Sequence, residues 1–360
     1  FFSYLSDMGT CKSRVAINKF DRIMVTGASG YLGQFIIDEL LKRGSLEILA
    51  TYHKTSGNSI PKHSKIQAVK MDGTDVKQIS DVLTEFKPDV IINTMANSSP
   101  ASCEKHPELS EKLNSAKALV QAIKDTVPLA LCIQISTDQV YQGAAPEGGY
   151  TNKSPAKPIN WYGKTKLMGE KNIQTLKRHI ILRSSGIYGP QPPRECAKKA
   201  TFLQLVTKML NGERQEPFFT EEIRSHVYVR DCVNAIIYFA YEYDEELYEE
   251  EGDVAHIYCM GGARGLARDE YADVVADELK LPTKNVLRIT RAECKAKWAH
   301  TYKSPEDITM DSSRLNGLMN VRGGIMCAPT RSSTGMSSLR QGIRDMIARG
   351  EIMLSIGKLV

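Results

Sequence analysis

The sequence predicts an α/β fold: a doubly wound parallel sheet over residues 21–190, followed by a smaller mixed α/β region over 191–360. Three observations predict it. Short apolar runs rich in β-branched residues alternate with helical patterns through the first half, which implies crossovers and a parallel sheet covered on both faces. Glycines 27, 30 and 33 stand directly after the first such run. Beyond Pro190 the alternation fades into Gln191-Pro192-Pro193 and a polar stretch that reads as a linker.

The elements follow in order. Arg22–Thr26 reads as a strand, and Leu32, Phe35, Ile36 and Leu40 then recur at helical spacing until Gly44. Glu47–Tyr52 and Ile66–Met71 are strand candidates. Val76, Ile79, Leu83 and Phe86 mark a helix between Asp75 and Pro88, and Val90–Asn93 is the next strand. Pro107 opens a helix carrying Leu109, Leu113, Ala116, Val120 and Ile123. Leu129–Ser136 and His179–Arg183 are further strands. The second half shows helical patterns at Phe202–Leu210, Asp231–Tyr241 and Asp269–Leu279, with short strands at Ser225–Val229 and His256–Met260; interleaving of some of these with the first domain is compatible with the pattern. Glu245–Glu251 reads as a solvated helix end and Thr330–Ser338 as a Ser-rich connection.

Composition sets the bounds. At about 150 residues per domain, 360 residues make roughly two domains. Hydrophobic residues at 42% and charged residues at 25% are ordinary for a globular chain. The net charge of +5 comes without a dense Lys/Arg run, so it suits an anionic ligand and gives no nucleic-acid footprint. The eight cysteines are scattered, a pattern of reduced thiols in the cytosol. Cys103 and His106 form an isolated pair that lacks the four ligands of a structural metal site. No apolar stretch approaches the ~20 residues of a membrane span. Residues 1–20 read as a structureless leader; were Met8 the start, Met8-Gly9-Thr10-Cys11-Lys12-Ser13 would fit a myristoylation pattern.

Thr26-Gly27-Ala28-Ser29-Gly30-Tyr31-Leu32-Gly33 joins strand to helix. Gly27 permits the tight turn, Gly30 lets backbone approach a pyrophosphate, and Gly33 lets the helix pack on the sheet. The helix N-terminus offers free N–H groups and a positive dipole. This is the signal of a Rossmann-type dinucleotide site, with Ser29, Tyr31 and Leu32 among its lining residues. The second strand ends in Tyr52-His53-Lys54, without the carboxylate that would hold a ribose 2′-OH. His53 and Lys54 suit a 2′-phosphate instead, so the expected cofactor is NADP(H). Asp72-Gly73, after the third strand, is a candidate for the adenine.

Tyr162 and Lys166 stand four apart on a helix and share a face. An ammonium ~4 Å from a phenol at an effective dielectric of ~20 favours the phenolate by about 4 kcal/mol, or roughly 3 pKa units. Such a tyrosine suits proton transfer at neutral pH. Thr137, in Ile135-Ser136-Thr137-Asp138 at a strand's carboxyl end, stands where open α/β sheets bind ligands and is placed to hydrogen-bond a substrate carbonyl.

Taken together, the glycine loop, Asn93-Thr94-Met95-Ala96, Asn114, the Ser-Thr-Asp strand end, Tyr162/Lys166 and Leu182-Arg183 through Tyr188-Gly189-Pro190 resemble an extended short-chain dehydrogenase/reductase from Arg22 to about Ile347. Within it, Lys87-Pro88-Asp89-Val90-Ile91-Ile92-Asn93, Cys103-Glu104, Ile135–Tyr141 and Trp161–Glu170 are similar to the dTDP-4-dehydrorhamnose reductase-like group. The regulatory beta subunit of methionine adenosyltransferase, which binds NADP, belongs to the same group. The resemblance implies Thr137, Tyr162 and Lys166 as catalytic positions and adds Met95, Ala96 and Asn114 to the cofactor site.

The substrate half departs from rhamnose reductases. Tyr150-Thr151-Asn152-Lys153 lacks the usual acidic residues. Arg224-Ser225-His226-Val227-Tyr228-Val229-Arg230-Asp231 replaces the expected D-Q-x-G-x-P-T run and is closer to nucleotide-sugar epimerases, and the region from Arg264 onward diverges. Arg224 is a candidate for a substrate diphosphate, with Asp138 beside it. The expectation is an NADPH-dependent reductase of a keto group on a nucleotide-linked sugar, in the cytoplasm and compatible with a homodimer. The alternatives are a regulatory subunit whose partner is a methionine adenosyltransferase catalytic subunit, and an epimerase or dehydratase; Asp138-Gln139 in place of an Asp-Glu pair argues against a dehydratase.

Overall fold

The computed structural model describes residues 20–44, 47–53, 57–196, 201–243, 255–294, 302–322 and 335–352. The leader, the myristoylation pattern, Lys54, the acidic run and most of the Ser-rich connection lie outside the described residues.

The first half runs β1 (Arg22–Thr26), α1 (Tyr31–Lys42), β2 (Glu47–Tyr52), β3 (Ile66–Lys70), α2 (Val76–Phe86), β4 (Val90–Asn93), α3 (Pro100–Lys105), α4 (Pro107–Asn114), α5 (Lys117–Thr126), β5 (Leu131–Thr137), α6 (Trp161–Ile173) and β6 (His179–Ser184). The second half follows as β7 (Ile187–Tyr188), α7 (Phe202–Leu210), β8 (Pro217–Phe219), β9 (Ile223–Arg224), β10 (Val227–Tyr228), α8 (Val229–Glu242), β11 (Ile257–Met260), β12 (Leu266–Ala267), α9 (Arg268–Leu279), β13 (Leu287–Ile289), α10 (Ser313–Arg322) and α11 (Leu339–Ala348).

Seven strands form one parallel sheet in the order β11-β6-β5-β4-β1-β2-β3. The winding direction reverses between β1 and β4, which opens a crevice at their carboxyl ends. Side chains alternate across this sheet. Ile23 and Val25 face a core built with α1 and α8, whereas Met24 and Ile91 face one built with α2 and α5. Full burial of a side chain such as Ile91 stabilises by about 1.5–3 kcal/mol, which is why central strands read as continuous apolar runs. Five of the cysteines (103, 132, 196, 232 and 259) are buried and unpaired; burial pushes the Cys132 thiol up to about 12.

Local chemistry sets the helix limits. Asp75 caps α2 by accepting from the backbone N–H of Lys77 and Gln78, and α2 ends at Lys87 in the left-handed region (φ 48°) just before Pro88. The single helix expected from Pro107 to Ile123 is two. Ala116 takes φ 52° between α4 and α5, and the break lets Asn114 turn its amide inward, as described below.

The strand at 257–260 is a second-half segment that interleaves with the first. It pairs in parallel with β6, from Ile257 opposite Ile181 to Met260 opposite Ser184, and closes the large sheet. Helix α8 likewise packs on α1. The chain therefore leaves the sheet after β6 and returns to it once, at β11, and among the described residues the second region has short two-stranded pairings (β7 with β10, β9 with β12, β8 with β13).

Candidate active site

The crevice is lined first by the β1–α1 turn. Gly27 has φ +67°, and a Cβ there would lie 3.0 Å from Thr94 Oγ1 and 3.1 Å from the Met95 nitrogen. A Cβ on Gly33 would meet Gly27 O at 2.5 Å and Ala28 Cα at 2.8 Å, so α1 reaches the turn only with glycine there. Gly30 differs: its Cβ would meet nothing but Gly27 O, at 3.1 Å. Around Gly30 that one backbone oxygen is the whole obstacle, and it would have to give by a few tenths of an ångström. No side chain caps α1, and its first turn holds no acidic residue. Uncapped N–H groups beside an open glycine fit an anionic pyrophosphate. Tyr31 and Leu32 have buried side chains, and Tyr31 Oη donates to Pro190 O at 2.9 Å. Only their backbones are left to contact a dinucleotide. Ser29 is buried in the same turn.

Three side chains link the adjacent strands β1, β4 and β5 beneath this turn. Thr26 Oγ1 donates to Asn93 Oδ1 at 2.6 Å, and Asn93 Nδ2 donates to Gln134 Oε1 at 2.7 Å. The register places these residues directly opposite one another on β1, β4 and β5. Farther out, His53 Nε2 lies 3.8 Å from Asp72 Oδ2. Asp72 Oδ1 accepts from the backbone and hydroxyl of Thr74 at 2.9 and 2.8 Å. A Cβ on Gly73 would strike Met95 Sδ at 2.6 Å, so Gly73 and Met95 are in close contact, with half-buried Ala96 next along.

Asn114 stands apart from this lining. It is buried, its Nδ2 donates to Asn97 O at 3.1 Å and Thr165 Oγ1 at 3.0 Å, and its Oδ1 accepts from Asn97 N at 2.8 Å. Its amide is spent holding α4, α6 and the 94–99 loop together. Gly169 makes the same junction possible, since a Cβ there would lie 2.4 Å from Asn114 O.

At the carboxyl end of β5, Thr137 meets Tyr162 from α6. The Thr137 hydroxyl neighbours the phenol; its Oγ1 accepts from Gln139 N at 3.2 Å and donates to Asp138 Oδ1 at 3.1 Å. A hydroxyl has one proton, so in this arrangement Thr137 has none left for a substrate carbonyl. Lys166 Nζ donates to Ile135 O at 2.5 Å, and burial pushes its ammonium down to about 8, against the pull of Glu170. The chain alone does not depress Tyr162 as the Tyr/Lys spacing predicts. Burial pushes the phenol up, the neighbouring Thr137 hydroxyl opposes this, and the Asp138 carboxylate adds to the rise.

Arg224 is also occupied. Its Nη1 donates to Ile223 O and Glu306 O at 2.7 and 2.6 Å, and its Nη2 donates to Ser304 Oγ and Pro305 O at 3.3 and 2.7 Å. The guanidinium clamps the 304–306 segment and bears on Asp138 by charge; it does not present a free fork to a diphosphate. Asp138 is buried and sits in the crevice with Ser185 Oγ donating to its Oδ2 at 2.7 Å.

Glu170 and Arg183 were not among the expected site residues, although both lie in segments that carry the resemblance. Arg183 Nη2 donates to Glu170 Oε2 at 2.7 Å and Nε to Oε1 at 3.1 Å, while Ser136 Oγ donates to Glu170 Oε1 at 2.5 Å. Arg183 Nη1 donates to Tyr141 Oη at 3.0 Å, and the Tyr141 ring stacks on Tyr150 at 4.2 Å. Among the described residues, no group of three or more His, Cys, Asp or Glu is placed to hold a metal, and no helix is long and apolar enough to cross a membrane.

Residues 21–322 match the model of the RmlD substrate binding domain, and the chain belongs to that family. It is 28% identical over 253 residues to the dTDP-4-dehydrorhamnose reductase of Salmonella typhimurium (strain LT2), which covers 68% of this chain and 77% of that one. It is 26% identical over 273 residues to methionine adenosyltransferase 2 subunit beta of Xenopus tropicalis, 75% of each chain. A hypothetical dTDP-4-dehydrorhamnose reductase from Sulfolobus tokodaii superposes with a TM-score of 0.64 at 28% identity, covering 82% of this chain and 94% of that one. The Bacillus anthracis dTDP-4-dehydrorhamnose reductase, solved in complex with NADP, superposes at 0.65 with 20% identity over 91% of this chain and 98% of that one, a likeness of fold. The fold is Rossmann-like and the chain is dTDP-4-dehydrorhamnose reductase-like.

Proposed function

We propose that this chain is an NADP(H)-dependent oxidoreductase that reduces a keto group on a nucleotide-linked sugar. The observation that carries the reading is the meeting of Thr137, at the carboxyl end of β5, with Tyr162 on α6, with Lys166 one helical turn on. Bound NADPH would supply the hydride. The Gly27–Gly33 turn would hold its pyrophosphate, with His53 and Lys54 at the 2′-phosphate. Tyr162 would give its proton to the carbonyl oxygen as negative charge develops there. Lys166 would orient the nicotinamide ribose and stabilise the phenolate, and Thr137 would aim the phenol. Family membership and the reductase relatives support the substrate class.

One observation favours a second reading, a regulatory subunit that binds a methionine adenosyltransferase catalytic subunit. Arg224 is consumed by the 304–306 segment, and a chain freed from holding a diphosphate need not keep that guanidinium open. The beta-subunit relatives point the same way. Purified protein offered a panel of keto-sugar nucleotides with NADPH separates the readings. Turnover without a second protein supports the reductase. Silence across the panel, together with a stoichiometric complex with methionine adenosyltransferase, supports the regulatory subunit.

A further inference from the structure

Tyr162 lies in the first turn of α6, and one buried side chain ties that turn to two other parts of the chain. Asn160 caps α6, its Oδ1 accepting from Gly163 N at 2.9 Å. Its Nδ2 donates to Gln139 Oε1 at 2.8 Å and to Lys303 O at 3.0 Å. The Gly163 N–H can only donate and the Lys303 carbonyl can only accept, so the amide has one orientation and both of its protons are used. Asn160 is 1% exposed, so bulk solvent does not replace a bond lost there.

The two partners belong to different halves of the chain. Gln139 follows Thr137 and Asp138 at the end of β5, and its backbone N–H donates to Thr137 Oγ1 at 3.2 Å. A Cβ on Gly163 would collide with Gln139 O, so the start of α6 is pressed against this turn. Lys303 lies in the second half, and two guanidiniums hold the residues after it. Arg224 donates to Pro305 O at 2.7 Å and Glu306 O at 2.6 Å, and Arg291 donates to Ser304 O at 2.8 Å and Pro305 O at 2.9 Å. Asp307 N then donates to Gly143 O at 2.9 Å. Residues 303–307 thus form a strap between the two halves, and Asn160 joins its first residue to the turn that carries Tyr162.

We infer that Asn160 is a positioning residue: it holds the Tyr162 turn against the end of β5 and makes the place of the phenol depend on the 303–307 strap. Capping alone would not require asparagine, since serine and aspartate cap a helix as well. What asparagine adds is a pair of N–H donors with the reach to meet Gln139 and Lys303 together. Asn160 acts on the reaction through the phenol and touches no reacting atom. A misplacement of about 1 Å at a reacting group costs on the order of 100-fold in rate. Loss of the joint therefore shows in turnover. It leaves cofactor binding in place, because the glycine turn between β1 and α1 shares none of these contacts.

Two variants keep the cap and remove the joint. N160S caps with its hydroxyl and reaches neither partner. N160D caps with a carboxylate, to which Gln139 can donate after turning its amide, whereas the Lys303 carbonyl then faces an oxygen. N160D therefore breaks the strap contact alone, and it carries the test by itself should N160S fail to fold. The control is N172A, which removes the bond from Asn172 Nδ2 to Ser115 O, 2.9 Å, near the other end of α6. The spectroscopic arm needs no substrate. In the full chain labelled with [13Cζ]tyrosine, the Tyr162 signal is the one absent from Y162F. It should shift in N160S and N160D and stay in place in N172A, while NADPH affinity stays within a few-fold. The kinetic arm rests on the reductase reading: where a keto-sugar nucleotide is turned over, kcat should fall at least ~10-fold in N160S and N160D with KM little changed. A Tyr162 signal that shifts in a chain without turnover supports the joint and removes the reductase reading. A signal unmoved in N160D, a signal moved as far by N172A, or an unchanged kcat in N160S overturns the inference.

Discussion

Arg183 grips Glu170 in the interior, Nη2 to Oε2 at 2.7 Å, with the two side chains 4% and 1% exposed. Lys166 sits one turn before Glu170 on α6, and the carboxylate raises its ammonium against the effect of burial. Breaking such a pair strands the remaining charge, at a cost of about 3–5 kcal/mol. Glu170→Gln should lower stability by that order in denaturant unfolding. It should also lower the Lys166 pKa further and weaken nicotinamide binding. A near-neutral change would mean that the pair is solvated.

The glycine turn makes a prediction by contrast. Gly33→Ala places a methyl against backbone at 2.5 and 2.8 Å, and overpacking of this kind typically costs about 1–3 kcal/mol. Gly30→Ala meets only Gly27 O, at 3.1 Å. Its stability should change little, while NADPH affinity falls at least tenfold, about 1.4 kcal/mol. Thermal unfolding and calorimetry separate the two effects. Equal losses of stability would show that Gly30 is required by the fold and not by a ligand.

Cofactor choice follows from the end of β2. Positions 52–54 carry no carboxylate, and His53 and Lys54 are both candidates for a 2′-phosphate. NADPH should bind at least tenfold more tightly than NADH, worth about 1.4 kcal/mol. Lys54→Asp should narrow or invert that gap. Equal affinities for the unmodified protein would remove NADP selectivity.

Two histidines make the fold acid-sensitive. Burial pushes His179 down to about 4 and His226 to about 3. Both are neutral in either state above about 6.5, the ordinary histidine value. As pH falls below it, the unfolded chain takes up protons that the folded chain refuses, so stability is lost between 6.5 and the folded values, at about 1.4 kcal/mol per pH unit for each group. Asp231 runs the other way. Burial raises it to about 6, so its contribution is present below its ordinary range and lost as pH rises through 6. The difference between His179→Gln and the unmodified protein isolates one histidine: the variant's stability curve should be flatter from pH 6.5 to 4 by that slope.

Local sequence carried much of the fold. Apolar runs located β1 to β6; the central strands, buried on both faces, leave an unbroken apolar signature, whereas the edge strand β3 is largely exposed. The β11 segment was equally legible as a strand, but its partner was not, since pairing with β6 depends on where the chain returns after α8. The α4–α5 break was hidden because Asn114 and Ala116 look like ordinary helix residues; what bends the chain is a long-range bond from Asn114 to Thr165. In the site, Thr137, Tyr162 and Lys166 were named from type and spacing. The occupancy of their hydrogen bonds was not legible, because one hydroxyl's partners depend on the neighbours Asp138 and Gln139 and on Ser185 beyond β6. Arg224 shows the same limit: a guanidinium suited to phosphate is here saturated by the 304–306 backbone.

The most direct measurement compares the unmodified chain with Tyr162→Phe on a verified keto-sugar nucleotide, following NADPH by its absorbance, with NADPH binding measured in parallel. Loss of the phenol proton should cut turnover by at least ~100-fold, the low end for a general acid, while NADPH affinity stays within a few-fold. A Phe variant as active as the unmodified protein would remove Tyr162 as proton donor and contradict the proposed mechanism.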